Sequence, residues 1–194
     1  MTLSNRQLEI IDAAGKILTS AGVSGLTIKN LANEMGFRES AIYRHFESKE
    51  KIIVAMLNHL ADTMDQKYSE VTSADAADEK FTHLFQKQFM FFKEHPHFAV
   101  AVFSDGLMKG SDTITRAIHN IMQVKVKHLT PIIEGGQKAG IFKSDISSTD
   151  LIHIVMGSVR LLMFKWRTAD FKTDILITGN QLLKVLLQLI KQPN

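Results

Sequence analysis

The chain has 194 residues, 45% of them apolar and 22% charged, with a formal net charge of +3 and no cysteine. The missing thiols exclude disulfides, thiolate zinc sites and a cysteine nucleophile, and they fit a reducing compartment. With no signal peptide and no uninterrupted apolar span, the expected location is the cytoplasm, away from membranes.

Ser4 followed by Gln7 is a capping-box pattern, and Leu8, Ile11, Ala14 and Leu18 continue a helical stripe as far as Gly22. Thr27 is a good N-cap for a second helix, in which Ile28, Leu31, Ala32 and Met35 share one face. Its hydroxyl and the free N–H groups at that end could instead hold a phosphate. Gly36 should close this helix in the left-handed conformation. A third helix of about two turns then turns Ala41, Ile42 and Phe46 inward and leaves Arg38, Glu39, Ser40, Tyr43 and Arg44 outside. The first 50 residues hold six Lys/Arg against six Asp/Glu, so a case for nucleic acid rests on placement, and four of those six cations lie between Lys29 and Lys49. Two short helices meeting at such a turn match the helix-turn-helix, whose second helix enters a DNA major groove.

Ser48 caps a fourth helix running to about Glu70, with an apolar seam of Ile52, Ile53, Met56, Leu60 and Met64. The small, polar run Thr72–Asp78 reads as a linker. The next helix carries Phe81, Leu84, Phe85, Gln88 and Phe92, widened by Phe89 and Phe91, and ends at Pro96. A short helical piece through Phe98, Val102 and Phe103 should give way at Gly106 and Gly110. Ser111 or Asp112 then caps a helix bearing Ile114, Ile118, Ile121, Met122 and Leu129, which Pro131 should kink or end. Ser147 with Asp150 starts another helix, and Thr173 or Asp174 the last. Both C-terminal segments are apolar beyond one stripe; Leu176, Leu183, Leu187 and Ile190 form one seam, and Leu182, Leu186 and Leu189 a second. That width suggests a four-helix interface with a second copy of the chain. No strand-like alternation appears, so the expected fold is all-α with about nine helices.

Twelve Phe and nine Met permit an apolar ligand pocket, for which Phe85, Phe89, Phe92, Phe98, Met122 and Trp166 are the candidates. His95 and His97 flank Pro96, but neighbouring carboxylates or thiolates that would complete a metal site are missing, and neither metal nor cofactor is expected. The chain carries no Gly-x-Ser-x-Gly elbow, no phosphate-cradling Gly-rich run, no His-Glu-x-x-His and no dinucleotide fingerprint, which argues against an enzyme.

The stretch GLTIKNLANEMGFRESAIYRHFESKEKIIVAML resembles the DNA-binding signature of the TetR family of bacterial transcriptional regulators. The likeness lies in the small-residue turn before Thr27, Leu31-Ala32, Gly36, Ile42-Tyr43, His45-Phe46 and Lys49. It is strong over residues 5 to 57 and only pattern-level beyond. The resemblance implies a helix-turn-helix domain over residues 1–50 and a helical ligand-binding and dimerisation domain over 51–194. It further implies a homodimer through the last two helices, a two-fold symmetric double-stranded operator and a small-molecule effector, hence a ligand-released repressor. Carried onto this sequence, Thr27, Tyr43 and Lys49 would meet phosphate, and Arg38, Ser40 and Arg44 would lie along the recognition face; Lys29, one of the four cations inside the motif, is a further DNA-binding candidate. Glu39 accepts from a cytosine or pairs with Arg38, and His45 faces either DNA or the core. The alternative is a DNA-binding organiser or regulator controlled by a protein partner, with no small effector.

Overall fold

The computed structural model describes residues 3–71, 76–103 and 111–193. Nine helices fall among the described residues: α1 (Asn5–Gly25), α2 (Ile28–Glu34), α3 (Glu39–Tyr43), α4 (Lys49–Ser69), α5 (Ala77–Glu94), α6 (Pro96–Val102), α7 (Asp112–Lys138), α8 (Ser148–Thr168) and α9 (Ile175–Ile190). No strand occurs among them. An isolated antiparallel bridge joins Phe142 to Lys191, where Lys143 N–H donates to the Ile190 carbonyl at 2.8 Å.

Local chemistry sets most of the helix ends. Ser4 and Gln7 form the reciprocal capping box at α1. Thr27, Ser147 and Asp174 each accept a backbone N–H in the first turn of their helices, and the Ser111 hydroxyl accepts from Thr113 and Ile114 at the start of α7. Gly36 closes α2 at φ 66°, and the Phe37 N–H reaches back to the Ala32 carbonyl at 2.8 Å.

Three expectations are corrected. Helix α3 has five residues rather than two turns, although Phe46 N–H still bonds the Ile42 carbonyl at 3.1 Å and carries its side chain inward. The expected linker is helical at its end, because α5 begins at Ala77 and Asp78 pairs with Lys191 at 2.6 Å; residues 72–75 of it lie outside the described residues, as do Gly106 and Gly110. Pro131 does not end α7, which runs on to Lys138. Pro131 and Lys127 are both exposed, so the carbonyl that proline leaves without a donor is on the watery side, while Leu129, Ile132 and Ile133 are buried.

The chain divides into two compact units. One comprises the described residues of Met1–Ala61 and His95–Ile121, the other those of Asp62–Glu94 and Met122–Asn194. The first unit is centred on Ile10, Ile11, Leu31, Ile42, Ile52 and Ile53, all at most 1% exposed. Within it α6 packs across α1, where the His97 ring fills the space beside Gly15. In the second unit α9 lies on α5: the ring of Phe89 occupies the position a side chain on Gly179 would need, and Gln86 bonds Asn180 at 2.8 Å. Gly136 makes the same allowance for Phe142. The buried seam of α9 is Ile175, Gly179, Leu183, Leu186 and Ile190, so the expected pairing of Leu176 and Leu187 with Leu183 is shifted: both are half-buried, and Leu189 points outward.

Candidate nucleic-acid interface

The head of the first unit is assembled from apolar residues at helical spacing, and its outer face is what they leave over. On α3 and the turn after it, Ile42 is fully buried and Phe46 6% exposed, with Ala41 half-buried. Side chains on the other sides of so short a helix must point outward. Arg38, Glu39, Ser40, Tyr43, Arg44 and His45 are all exposed, Tyr43 at 50%. His45, open between two orientations from sequence, is on the outside, with its carbonyl accepting from Gln7 Nε2 at 3.3 Å.

Arg38 is the N-cap of α3 and makes no side-chain cap bond, so its guanidinium is not committed to closing the helix. Glu39 occupies the first turn, where a carboxylate favours the helix dipole. Thr27 is exposed; its Oγ1 accepts from Asn30 N–H at 3.1 Å, which leaves the hydroxyl proton to donate elsewhere. Asn30 in turn donates from Nδ2 to the Gly25 carbonyl at 2.8 Å, fixing the turn ahead of α2, and Lys29 is exposed beside it. Lys49 opens α4 and is half-buried, one residue after Ser48, whose hydroxyl accepts from Lys51 N–H at 3.2 Å. The arrangement therefore offers guanidinium forks for base edges and hydroxyl, phenol and ammonium groups for phosphate oxygens.

The six aromatic and methionine candidates for an apolar site are dispersed. Phe85, Phe89 and Phe92 are buried on α5, Phe98 is buried on α6 in the other unit, and Met122 is 40% exposed. Trp166 is buried near the end of α8, where its Nε1 donates to the Thr173 carbonyl at 2.9 Å and its ring meets Phe171 edge-on, a bracing role for the turn into α9. The second unit holds an open cleft of about 490 Å³ bordered by Tyr68, Lys80, Leu84, His128, Pro131 and Ile141 among others, and none of the six lines it.

Sequence reading passed over a polar group inside this unit. Tyr68 donates its hydroxyl to Gln88 Oε1 at 3.3 Å, and Gln88 is 3% exposed. Burial pushes the Tyr68 phenol above its ordinary pKa. His128 sets its ring edge-on to Tyr68 and its Nε2 2.6 Å from Asp65, whose carboxyl is held below the usual range first by Lys127 and then by His128. Lys125, one turn before His128, places its ammonium 5.3 Å from the centroid of the buried Phe85 ring. The available signal was register: Ile118, Lys125 and Leu129 stand at i, i+7 and i+11 on α7, so a lysine occupies a position of the inward stripe. Among the described residues no cluster of three or more His, Asp or Glu could hold a metal ion, and no helix is long and apolar enough to cross a membrane.

A small three-helix head that buries Ile42 and Phe46 and presents Arg38 through His45 defines a helix-turn-helix protein of the DNA-binding class. The model of bacterial regulatory proteins of the tetR family matches residues 10–56, and that of the YsiA-like protein C-terminal region matches residues 53–189. The chain belongs to the TetR family of bacterial transcriptional regulators. It is 24% identical over 191 residues to the HTH-type transcriptional repressor KstR2 of Mycolicibacterium smegmatis, covering 97% of this chain and 92% of that one. The fatty acid degradation regulator FadR from Bacillus halodurans has a similar fold, with TM-score 0.86, 19% identity and coverage of 96% of this chain and 97% of that one. So has the transcriptional regulator FadR from Bacillus subtilis, solved in complex with stearoyl-CoA, with TM-score 0.81, 21% identity and coverage of 93% and 97%.

Proposed function

We propose that this chain is a cytoplasmic, homodimeric repressor that reads a two-fold symmetric operator and is released from it by a small apolar ligand bound in the helical body. The observation that carries the DNA half is the exposed run from Arg38 to His45 over a buried Ile42. In this reading Arg38, Ser40 and Arg44 address base edges, with Glu39 and His45 beside them. Thr27, Lys29, Tyr43 and Lys49 grip phosphates and set the register. One good bidentate arginine contributes roughly 1–3 kcal/mol of base discrimination, which compensates for a head with as many acids as bases.

Two copies are needed for a two-fold site, and the C-terminal helices supply a surface for pairing. On α8, Ile154, Leu161 and Phe164 are 48%, 53% and 42% exposed, with Gly157 between them leaving open space above the backbone. On α9, Ile177, Val185 and Leu189 are 61%, 50% and 56% exposed. On α9 the spacing by multiples of four makes a ridge, and on α8 the steps of three and four residues through Gly157 make a shallow stripe, a pair of surfaces that can pack against a facing helix. Half-sites about 34 Å apart follow from two recognition helices on one face of the duplex.

The effector half draws on the relatives. One fold neighbour is a fatty acid degradation regulator, and another was solved with stearoyl-CoA. A long-chain acyl-CoA is therefore the first ligand class to try. Release by a factor of 100 requires the ligand to favour the DNA-incompetent arrangement by about 2.7 kcal/mol. The test is selection of bound duplexes from random DNA, footprinting of the winner, and titration of the complex with acyl-CoAs. A symmetric footprint that one of them dissolves supports the reading. An asymmetric footprint overturns the dimer, and a symmetric footprint indifferent to every acyl-CoA transfers control to some other signal.

A further inference from the structure

Of the six cations in the first 50 residues, Arg6 and Lys16 stand outside the Lys29–Lys49 stretch. The fold brings one of them back to it. In the first turn of α1 the Arg6 guanidinium lies 5.2 Å from the centroid of the Phe37 ring, within the range at which a cation is drawn to an aromatic face. Phe37 sits in the turn that closes α2, its N–H bonded to the Ala32 carbonyl at 2.8 Å, and it directly precedes Arg38, the N-cap of α3. Next to Arg6, Gln7 completes the capping box through Oε1 and donates from Nε2 to the His45 carbonyl at 3.3 Å. The first turn of α1 therefore touches both ends of α3, Phe37 before it and His45 after it.

When a recognition helix enters the major groove, the groups that flank it meet the sugar-phosphate backbone bordering the groove. Arg6 has the chemistry for that contact: a permanent charge and a planar fork that matches phosphate oxygens, with an aromatic ring beneath to hold the plane. Its partner in the free chain is Glu9, three residues on, and both side chains are about half exposed, at 48% and 53%. So exposed a pair adds little stability, and a phosphate can take the place of the carboxylate at small cost. Phe37 is 36% exposed, an aromatic ring kept at the surface beside the recognition helix.

We propose that Arg6 is a phosphate clamp of the DNA-binding face, held beside the start of α3 by the Phe37 ring and exchanging Glu9 for a backbone phosphate when DNA binds. Arg6 is the contact and Phe37 a positioning residue. This rests on the reading of the Arg38–His45 face as the DNA-binding surface. In the competing account Arg6 shields Phe37 and pairs with Glu9, with no part in binding.

The full chain is titrated with a selected operator duplex and a random duplex across salt concentrations, as wild type and as Arg6→Ala, Arg6→Lys, Phe37→Leu, Lys16→Ala and Lys49→Ala. Arg6→Ala should weaken both duplexes alike, about tenfold for a dimer, and lower the slope of log affinity against log salt by about 2. Arg6→Lys should keep the slope. Phe37→Leu keeps apolar bulk but removes the aromatic face; it should weaken both duplexes in the wild type and have no effect once Arg6 is alanine. Lys16, exposed and about 15 Å further along α1, controls for net charge, and its replacement should leave the slope unchanged. An unchanged slope with Arg6→Ala, while Lys49→Ala lowers it, overturns the clamp and leaves the face standing. An equal loss from Lys16→Ala reduces Arg6 to bulk charge, and a loss confined to the operator makes it a base reader; either overturns the phosphate assignment. A Phe37→Leu loss that persists without Arg6 overturns the positioning role of the ring. Unchanged binding by Arg6→Ala and Lys49→Ala together removes the face and the clamp with it. Melting curves accompany each variant, and should Arg6→Ala be poorly folded, Arg6→Gln carries the same comparison.

Discussion

Replacing Gly15 with alanine probes the packing of α6 on α1 at one atom. The new Cβ would lie 2.7 Å from both Cγ and Cδ2 of His97 and 3.2 Å from its Cβ, where carbon atoms at rest sit about 3.5–4.0 Å apart. The offending atoms are the root of a ring fixed by α6, so the ring cannot simply swing away. Overpacking of this kind costs about 1–3 kcal/mol, against a gain of roughly 0.5–1 kcal/mol from removing a glycine within a helix. Gly15→Ala should therefore destabilise the wild type by about 1–2 kcal/mol. In a His97→Ala background the two 2.7 Å contacts are gone and only the 3.2 Å approach of the two Cβ atoms remains, so the same change should be close to neutral, about 1–2 kcal/mol less costly than in the wild type. Urea unfolding of the four proteins in the cycle, with slopes compared, measures this directly. Equal effects of Gly15→Ala in both backgrounds, or stabilisation in the wild type, would refute the close approach.

The same histidine predicts a pH response. Burial first, then His95, push the His97 pKa down to about 4, with Asp12 opposing, and its Nε2 has no hydrogen-bond partner among the described residues. The unfolded chain takes up this proton at about 6.5, so the contribution is intact above that pH and is lost as pH falls toward 4; for a partly accessible ring the loss is about 1–2 kcal/mol. Melting temperature should fall between pH 7 and 4.5 by several degrees more in the wild type than in His97→Ala, and parallel curves would remove the claim. Gly36→Ala should cost about 1 kcal/mol, purely from the backbone, because no atom lies within 4 Å of the added Cβ while φ is 66°; Gly36→Asn should cost less in the same urea assay. Val185→Glu or Leu161→Glu should yield monomers by sedimentation with α-helical content retained, and an unchanged mass would move the dimer interface elsewhere.

The legible parts of this fold were those decided within a few residues. Ser4–Gln7, Thr27, Gly36, Ser147 and Asp174 set helix ends by bonds to their own neighbourhood, and each end is where the residue types place it. Of the two outcomes open at Pro131, a kink or an end, the end does not occur, because the local penalty is offset by the burial of Leu129, Ile132 and Ile133 on the far face. Helix α3 is shorter than its pattern because Phe46 reaches the core from a turn. The outward orientation of Arg38, Tyr43 and Arg44 was readable since Ile42 and Phe46 leave them nowhere else to go. The open cleft of the second unit was not, since phenylalanine content marks core and cavity alike and none of the six candidates borders it.

The central claim is that DNA is read by the face from Thr27 to Lys49, with discrimination and grip assigned to different side chains. Binding of wild type, Arg44→Ala and Lys49→Ala to a selected operator and to a random duplex, across salt concentrations, tests it most directly. Arg44→Ala should lose about 1–3 kcal/mol per half-site on the operator and little on random DNA. Lys49→Ala should weaken both alike and lower the salt slope by about 2 for a dimer. Unchanged binding of both duplexes by both variants would contradict the account.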